Sequence, residues 1–463
     1  MIEFILNNKT IKTSVHQGEP LVDFLREYRN LKGTKIGCRE GDCGACTILI
    51  GELHDDNVIY HSITSCISPL GNVHGKHVVT VEGISLENGL NRVQEEMISN
   101  NGTQCGFCTP GFVVSLTGFA IKKTQHNHNP LNTFQDVISG NICRCTGYKS
   151  IEKAGEIINN SLKGFSIKNS INDLIQHQFL PSYFATIPEK LKNIPKKENP
   201  KKGKIVASGS DLYVQQADHL RKKDVHLITL NKEHQTIQQK EKTCFIGANT
   251  TVSHLLENSI FLKQIPKLPE FLKKVSSEQI RNMGTLGGNF VNASPIGDLS
   301  VFFLALNAVL HIKNPHGNLR EVHLKDFYKG YKTYDLKENE IIETVSFKIL
   351  EKNASFNFEK VSKRTHLDIA SVNSAMQIEI IENQITNIHL SIGGVAPIPF
   401  YAKNTVSFLN QNELNEENIE KSLEILNDEI APISDIRGTS AYKRLLAKQL
   451  VKAHFITLFP NLF

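Results

Sequence analysis

The sequence predicts a multidomain α+β chain in four parts: a small β-rich module, a four-helix bundle, a larger α+β region and a C-terminal α/β domain. Three observations predict it. At 463 residues the chain is too long for one hydrophobic core and divides into roughly three or four domains. The apolar pattern is strand-like over the first 80 residues, helical from about 83 to 160, and mixed from about 205 onward. Eight of the nine cysteines lie before residue 150, so the first two parts carry a chemistry that the remainder does not share.

Composition narrows the class. Apolar residues make up 40% and charged residues 21%, as in soluble globular proteins. The formal charge of +5 is small, and the lysines spread over several segments rather than one aromatic-studded patch, which argues against nucleic acid. The start, Met1-Ile2-Glu3-Phe4, has an early acid and no apolar run of a signal peptide. The longest apolar stretch, 301–312, is interrupted by Asn307 and falls far short of a membrane span. A cytoplasmic chain without a membrane partner is expected. In a reducing compartment nine cysteines point to metal or redox chemistry before disulfides.

In chain order, Ile2–Leu6 and Ile11–Val15 flank the turn residues Asn7-Asn8 and predict a hairpin. Leu21, Phe24 and Leu25 share one face of a short helix, and Thr47–Ile50 and Val78–Val81 read as strands, completing a module over 1–82. Over 83–162 four apolar faces recur at helical spacing: Leu90, Val93, Met97 and Ile98; Phe112, Leu116, Phe119 and Ala120; Phe134, Val137 and Ile138; Ile151, Ala154, Ile157 and Ile158. Residues 163–204 read as a linker, lysine- and proline-rich from Glu189. Domains over 205–350 and 351–463 follow, the latter opening with strands Ala375–Ile381 and Ile385–Ile392.

Cys38, Cys43 and Cys46 are spaced C-x4-C-x2-C, and Cys66 follows. This is the plant-type ferredoxin arrangement for a 2Fe–2S cluster, whose irons need soft thiolates. Gly37, Gly41 and Gly44 allow the loop to turn backbone N–H groups toward an anionic cluster. Zinc, which favours paired C-x2-C knuckles, suits the spacing poorly. The second foursome, Cys105, Cys108, Cys143 and Cys145, combines C-x2-C with C-x-C, which alone fits either zinc or iron–sulfur. Thr109-Pro110 marks a helix start, and the positive end of a helix favours an anionic cluster.

Three long motifs carry a resemblance. Gly33-Thr-Lys-Ile-Gly-Cys-Arg-Glu-Gly-Asp-Cys-Gly-Ala-Cys46, Gln104-Cys-Gly-Phe-Cys-Thr-Pro-Gly111 and Gly140-Asn-Ile-Cys-Arg-Cys-Thr-Gly-Tyr148 resemble the iron–sulfur region of the molybdenum hydroxylases. Within that family the chain is most similar to the small subunits of bacterial xanthine dehydrogenases. The resemblance implies that both foursomes hold 2Fe–2S clusters, and that Gln104 touches the molybdopterin of a partner subunit.

The later glycine-rich stretches are ambiguous by themselves, serving equally as packed turns or phosphate cradles. They are Ile205-Val206-Ala207-Ser208-Gly209-Ser210-Asp211-Leu212 and the run from Arg281 to Asp298. In the latter, Gly287 and Gly288 permit close backbone approach, and Thr285, Asn289, Asn292 and Ser294 offer hydrogen bonds to phosphate or ribose. The resemblance implies that both stretches bind the FAD pyrophosphate, with Val275, Asp298, Ile342 and Lys360 at further flavin-contact positions. Ser208 and Ser210 depart from the glycine and threonine usual in that loop. Asp368-Ile369-Ala370 and Gly393-Gly394 read as packing, Cys244 as a buried small residue, and His126 and His128 as surface.

The function implied is that of an oxidoreductase subunit in purine catabolism. It takes electrons from molybdenum on a large partner subunit, through the helical-domain cluster and then the ferredoxin-like cluster, to FAD and NAD+. No nucleophilic triad or carboxylate pair stands out, so no catalytic residue is assigned and substrate conversion belongs to the partner, in a higher heteromer of both subunits. No strand–GxGxxG–helix signature marks an NAD+ site, leaving oxygen open as acceptor. Two other readings stand beside this one: the equivalent subunit of an aldehyde, nicotinate or other heteroaromatic hydroxylase, and a non-enzymatic zinc scaffold.

Overall fold

A computed structural model describes residues 1–125, 133–165, 170–197, 202–230, 232–410 and 412–462. They form two compact units. Met1–Leu230 and Ser276–Gly284 make the first, Asn231–Val275 and Thr285–Phe463 the second.

The first unit opens with β1 (Ile2–Leu6) and β2 (Lys9–Thr13), antiparallel across Asn7-Asn8. Asn7 takes the positive φ of 54° that a tight hairpin turn requires, so pairing begins at Lys9, two residues before the predicted strand. With β3 (Thr47–His54), β4 (Asn57–Thr64) and β5 (His77–Val79) these strands form a sheet of order β2-β1-β5-β3-β4, in which β1 and β5 run parallel. A short helix, α1 (Leu21–Asp23), continued by a wider turn over Phe24–Tyr28, buries Leu21, Phe24 and Leu25 as predicted. This is the β-grasp arrangement.

Four helices follow: α2 (Arg92–Ser99), α3 (Thr109–Gln125), α4 (Phe134–Ile138) and α5 (Lys149–Ser161). A reciprocal cap between Asn91 and Gln94 starts α2. Val93 and Met97 are buried, whereas Leu90 and Ile98 of the same predicted face are exposed. Helix α3 is buried along most of its length and shares one apolar core with Ile5, Leu49 and Val79 of the sheet. The stretch predicted as linker contains α6 (Ser170–Gln176) and α7 (Ile187–Lys192). Leu174, Phe179, Phe184, Ile187 and Leu191 join that core, because apolar residues recur there often enough to give each short helix a buried face. His126 and His128 lie outside the described residues. Next, β6 (Lys204–Val206), α8 (Leu212–Leu220) and β7 (Val225–Leu227) make a parallel β-α-β piece, with Val206, Tyr213, Leu220 and Leu227 in a core that includes Leu21 and Ile67.

The second unit begins with β8 (Ile237–Lys240), β9 (Thr243–Gly247), α9 (Val252–Glu257), α10 (Ser259–Gln264) and α11 (Leu268–Lys273). Cys244 is buried in β9, as expected. Helix α12 (Glu278–Arg281) belongs to the first unit. The second unit resumes with α13 (Leu286–Asn292), α14 (Asp298–Ala305), β10 (Val309–Lys313), β11 (Leu319–His323), α15 (Leu324–Phe327), β12 (Tyr328–Gly330), β13 (Thr333–Tyr334) and β14 (Ile341–Lys348). Asn307, at φ 48°, turns the apolar run from α14 into β10. The antiparallel sheet has the order β11-β10-β14-β9-β8. A second antiparallel sheet holds β15 (Ala354–Val361), β16 (Val372–Ile381), β17 (Gln384–Gly393) and β18 (Phe400–Tyr401). Its core residues pack with α16 (Lys403–Leu409), α17 (Glu416–Glu429) and α18 (Ser440–Leu458). Among the described residues no helix is long and apolar enough to cross a membrane.

Candidate functional site

Strand pairing assembles the first cysteine set. Thr47 of β3 faces Thr64 of β4, so Cys46 and Cys66 lie at the same end of one hairpin, and both are buried. Cys38 and Cys43 come from the loop before β3. Backbone N–H groups turn toward sulfur: Glu40 and Cys43 donate to Cys38 Sγ at 3.3 and 3.4 Å. A Cβ at Gly37 would stand 2.8 Å from Cys43 Sγ, so any larger residue there would have to displace that sulfur. Gly41, at φ 79°, takes a left-handed turn that L side chains resist.

The four thiols perturb one another. Hydrogen bonds from Cys43 and Cys66 hold the Cys38 thiol well below its ordinary range, and donating to Cys38 pushes both partners up. A hydrogen bond from Cys66 likewise draws Cys46 down. Thiols with backbone N–H groups turned toward sulfur suit an iron–sulfur ligand set.

Arg39, next to Cys38, holds a left-handed φ of 60°. Its guanidinium grips Asp23 in a fork, at 2.8 and 3.1 Å, and Arg221 reaches the same carboxylate at 2.5 Å. This ion network ties the cysteine loop to the last residue of α1 and to the end of α8. Nothing in the sequence marks it, because its members are 16 and 198 residues apart.

The second set gathers around two helix starts. Cys105 and Cys108 precede α3, where Phe112 N–H donates to the Cys108 carbonyl, and Cys143 and Cys145 lie on the loop before α5. The Cys145 thiol is raised chiefly by its neighbour Cys105. Burial pushes Cys108 up to about 12. Cys143 is drawn down in spite of its burial by the hydroxyl and amide of Thr146, which lie 3.1 and 3.5 Å from its sulfur. Cys105 is lowered by the Phe107 amide. Cys105, Cys145, Gln104 and Phe107 are all exposed.

The expected flavin residues divide between the two units. In the first, Ile205–Leu212 spans the end of β6 and the start of α8. Gly209 has φ 92°, Ser208 is buried, and Asp211 at the helix start makes no side-chain cap.

In the second, Thr285 caps α13 by accepting the Gly288 N–H at 3.1 Å. The Leu286 and Gly287 amides donate to the Thr250 and Ala248 carbonyls. Asn289 Oδ1 accepts from the amide and hydroxyl of Ser300, and Asn292 Oδ1 accepts from Lys332. Several polar atoms predicted to face a phosphate are therefore engaged within the protein. The Gly288 surface stays exposed, and Ser294 is half-buried. Val275 and Ile342 are buried apolar residues.

Lys360 is almost fully buried rather than solvated. Its ammonium sits 2.7 Å from Asp298 Oδ2 and 2.7 Å from the Lys274 carbonyl, leaving one of its three N–H groups to a further acceptor. Asn373 holds Asp298 Oδ1 at 2.6 Å.

Comparison with known proteins agrees with this division of chemistry. Residues 4–70 match the family described as a 2Fe-2S iron-sulfur cluster binding domain, and 80–156 a [2Fe-2S] binding domain. Residues 182–347 match the FAD binding domain in molybdopterin dehydrogenase, and 358–458 the CO dehydrogenase flavoprotein C-terminal domain. Xanthine dehydrogenase of Oryza sativa is 29% identical over 90% of this chain and 36% of its own length. That of Calliphora vicina is 28% identical over 100% of this chain and 39% of its own. The chain thus spans little more than a third of the length of these relatives. Among solved structures, a carbon monoxide dehydrogenase from Hydrogenophaga pseudoflava superposes with a TM-score of 0.51 at 25% identity, covering 54% of this chain and 87% of that one. With two 2Fe–2S domains, an FAD domain and a flavoprotein C-terminal domain in this order, the chain belongs to the molybdenum hydroxylase family as its iron–sulfur and flavin portion.

Proposed function

We propose that this chain is the electron-transferring part of a cytoplasmic xanthine dehydrogenase, working with a large molybdenum-cofactor subunit and delivering electrons to NAD+. The observation that carries the reading is the turning of backbone N–H groups toward sulfur in both cysteine sets, at Cys38 and at Cys143. The xanthine dehydrogenase relatives, which the chain matches over nine-tenths or more of its length, support the substrate.

In this reading Cys38, Cys43, Cys46 and Cys66 hold one 2Fe–2S cluster, and Cys105, Cys108, Cys143 and Cys145 the other. When bound, such clusters supply one-electron transfer, and FAD supplies exchange between one- and two-electron chemistry. The chain's own residues do the holding. The Glu40, Cys43 and Thr146 amides compensate negative charge on sulfur. Ile205–Leu212 and Thr285, Gly287, Gly288, Asn289, Asn292 and Ser294 contact FAD. Since the Asn289 and Asn292 oxygens are engaged, those two offer their NH2 groups. Val275 and Ile342 add apolar contact, and Lys360, oriented by Asp298, offers its remaining N–H. Gln104, exposed beside Cys105, contacts the partner's pterin.

The carbon monoxide dehydrogenase likeness favours one further reading, the same role beside a molybdenum subunit that acts on another substrate. One experiment tests both. Purified chain should hold about four irons, about four acid-labile sulfides and one FAD. It should be reduced by xanthine only after the large subunit is added. Stoichiometric zinc without sulfide refutes the metal assignment. Reduction by an aldehyde but not by xanthine, with the cognate partner present, selects the second reading.

A further inference from the structure

The two cysteine loops touch, and the contact is built from residues far apart in sequence. The Ile142 amide donates to the Cys43 carbonyl at 3.0 Å. Asn141 beside it donates to the Gly44 carbonyl at 3.0 Å and to Thr47 Oγ1 at 3.2 Å. The Asn141 oxygen is itself held by Ser115 Oγ at 2.8 Å and Gln279 Nε2 at 3.1 Å. Asn141, Ser115 and Gln279 are all buried, so these bonds face little competition from water.

Glycines let the backbones meet. A Cβ on Gly44 would stand 2.2 Å from the Gly140 carbonyl, and one on Gly111 would stand 2.4 Å from the Gly44 carbonyl. Gln279 comes from α12, which is pinned in the same unit by the buried ion pair of Glu278 with Lys122 at 3.3 Å.

We infer that Asn141 is a positioning residue that locks the two cysteine loops together, and that the Ile142 N–H to Cys43 carbonyl bond is the link through which the two sites exchange electrons. From Cys43 Sγ the route follows the Cys43 side chain and carbonyl, crosses one hydrogen bond, and continues through covalent bonds of Ile142 to Cys143 Sγ. A single electron leaves one site and arrives at the other; no covalent bond forms or breaks and no proton moves. The inference rests on the proposed reading that both sets hold 2Fe–2S clusters. Failure of that reading shows separately, as absence of iron in the unsubstituted protein.

The test compares iron-replete full chain with its Asn141→Ala variant. Iron, sulfide and the separate EPR signal of each site should persist. Exchange of the Ile142 amide should become about tenfold faster, the scale of one lost buried hydrogen bond. After flash reduction, electron equilibration between the sites should slow, and the magnetic coupling between the two reduced signals should weaken. If Asn141→Ala sheds iron, Gln279→Leu carries the test, since it removes one of the two donors holding the Asn141 oxygen. Iron loss in both variants would overturn the inference, showing that the network holds the clusters rather than joins them. So would unchanged Ile142 exchange, or faster exchange with unaltered electron equilibration.

Discussion

Cys38, Cys43, Cys46 and Cys66 make one set of four thiols and Cys105, Cys108, Cys143 and Cys145 another, and the two differ in how far they are enclosed. Cys46 and Cys66 belong to the apolar core beneath the β-grasp sheet, at 2% and 3% exposure. Cys105 and Cys145 are exposed, beside Phe107 at 47%. Thiol chemistry is shared; enclosure is not. Cysteines fastened into a core are held by the fold, whereas Cys105 and Cys145, exposed near helix starts, are open to reagents and to a partner. The lesson is that ligand type sets what can bind, and the packing around it sets what can reach it.

The largest expected effect breaks the distinction outright. Gly44→Ala places a methyl group against the Gly140 carbonyl and forces an L side chain into φ 66°. Both loops are backbone at the clash and neither can yield cheaply. Iron and sulfide should fall at both sites together, read by metal analysis. Full iron with unchanged thermal stability would show that the loops are not so closely joined.

A smaller effect should stay within stability. Glu278→Gln leaves Lys122 buried without its counter-charge and should cost about 3 kcal/mol, measured by urea unfolding. A cost below about 1 kcal/mol, the range of an exposed pair, would place α12 nearer the surface than the structure has it.

Acid should weaken both units by the same route. His77 in the first and His454 in the second are fully buried, and burial pushes each down to about 3. An unfolded histidine titrates near about 6.5, so below that pH the unfolded chain takes up protons that the folded chain refuses. Stability is complete above about pH 6.5 and is lost as pH falls toward 3, by about 1.4 kcal/mol per pH unit for each histidine. Unfolding followed from about pH 7 to pH 5 should show this slope, and His454→Gln should reduce it. An unchanged slope in the variant would exclude His454 as a source.

The finest prediction sharpens the contrast of enclosure. In iron-free protein kept folded, alkylation should label Cys105 and Cys145 first and Cys46 and Cys66 last, as read by peptide mass spectrometry. Equal rates would remove the distinction.

The cysteine sets were legible because their ligand-like spacing, C-x4-C-x2-C in one and C-x2-C with C-x-C in the other, lies in short stretches of chain. The period of α3 and α5 was equally plain, since Phe112, Leu116, Ile151 and Ala154 face one core. What sequence could not show are partnerships over distance. Arg39 and Arg221 read as ordinary charges until both close on Asp23, and Lys360 until Asp298 closes on it. Asn141 lies inside the motif from Gly140 to Tyr148, but its partner Gln279 is 138 residues away, in a helix too short to give a periodic signal. The glycine-rich stretch from Arg281 to Asp298 read as one loop. Its first four residues instead belong to the first unit, because Gln279 and Arg281 are buried polar side chains that pattern reading assigns to solvent.

The central claim, two separate four-cysteine iron–sulfur sites of unequal enclosure, is tested most directly by EPR of the reduced protein with single ligand substitutions. Unsubstituted protein should give two distinct signals. Cys43→Ser should remove one and leave the other, and Cys145→Ser should do the reverse. A folded variant in which either substitution erased both signals, or unsubstituted protein that gave only one, would contradict the account.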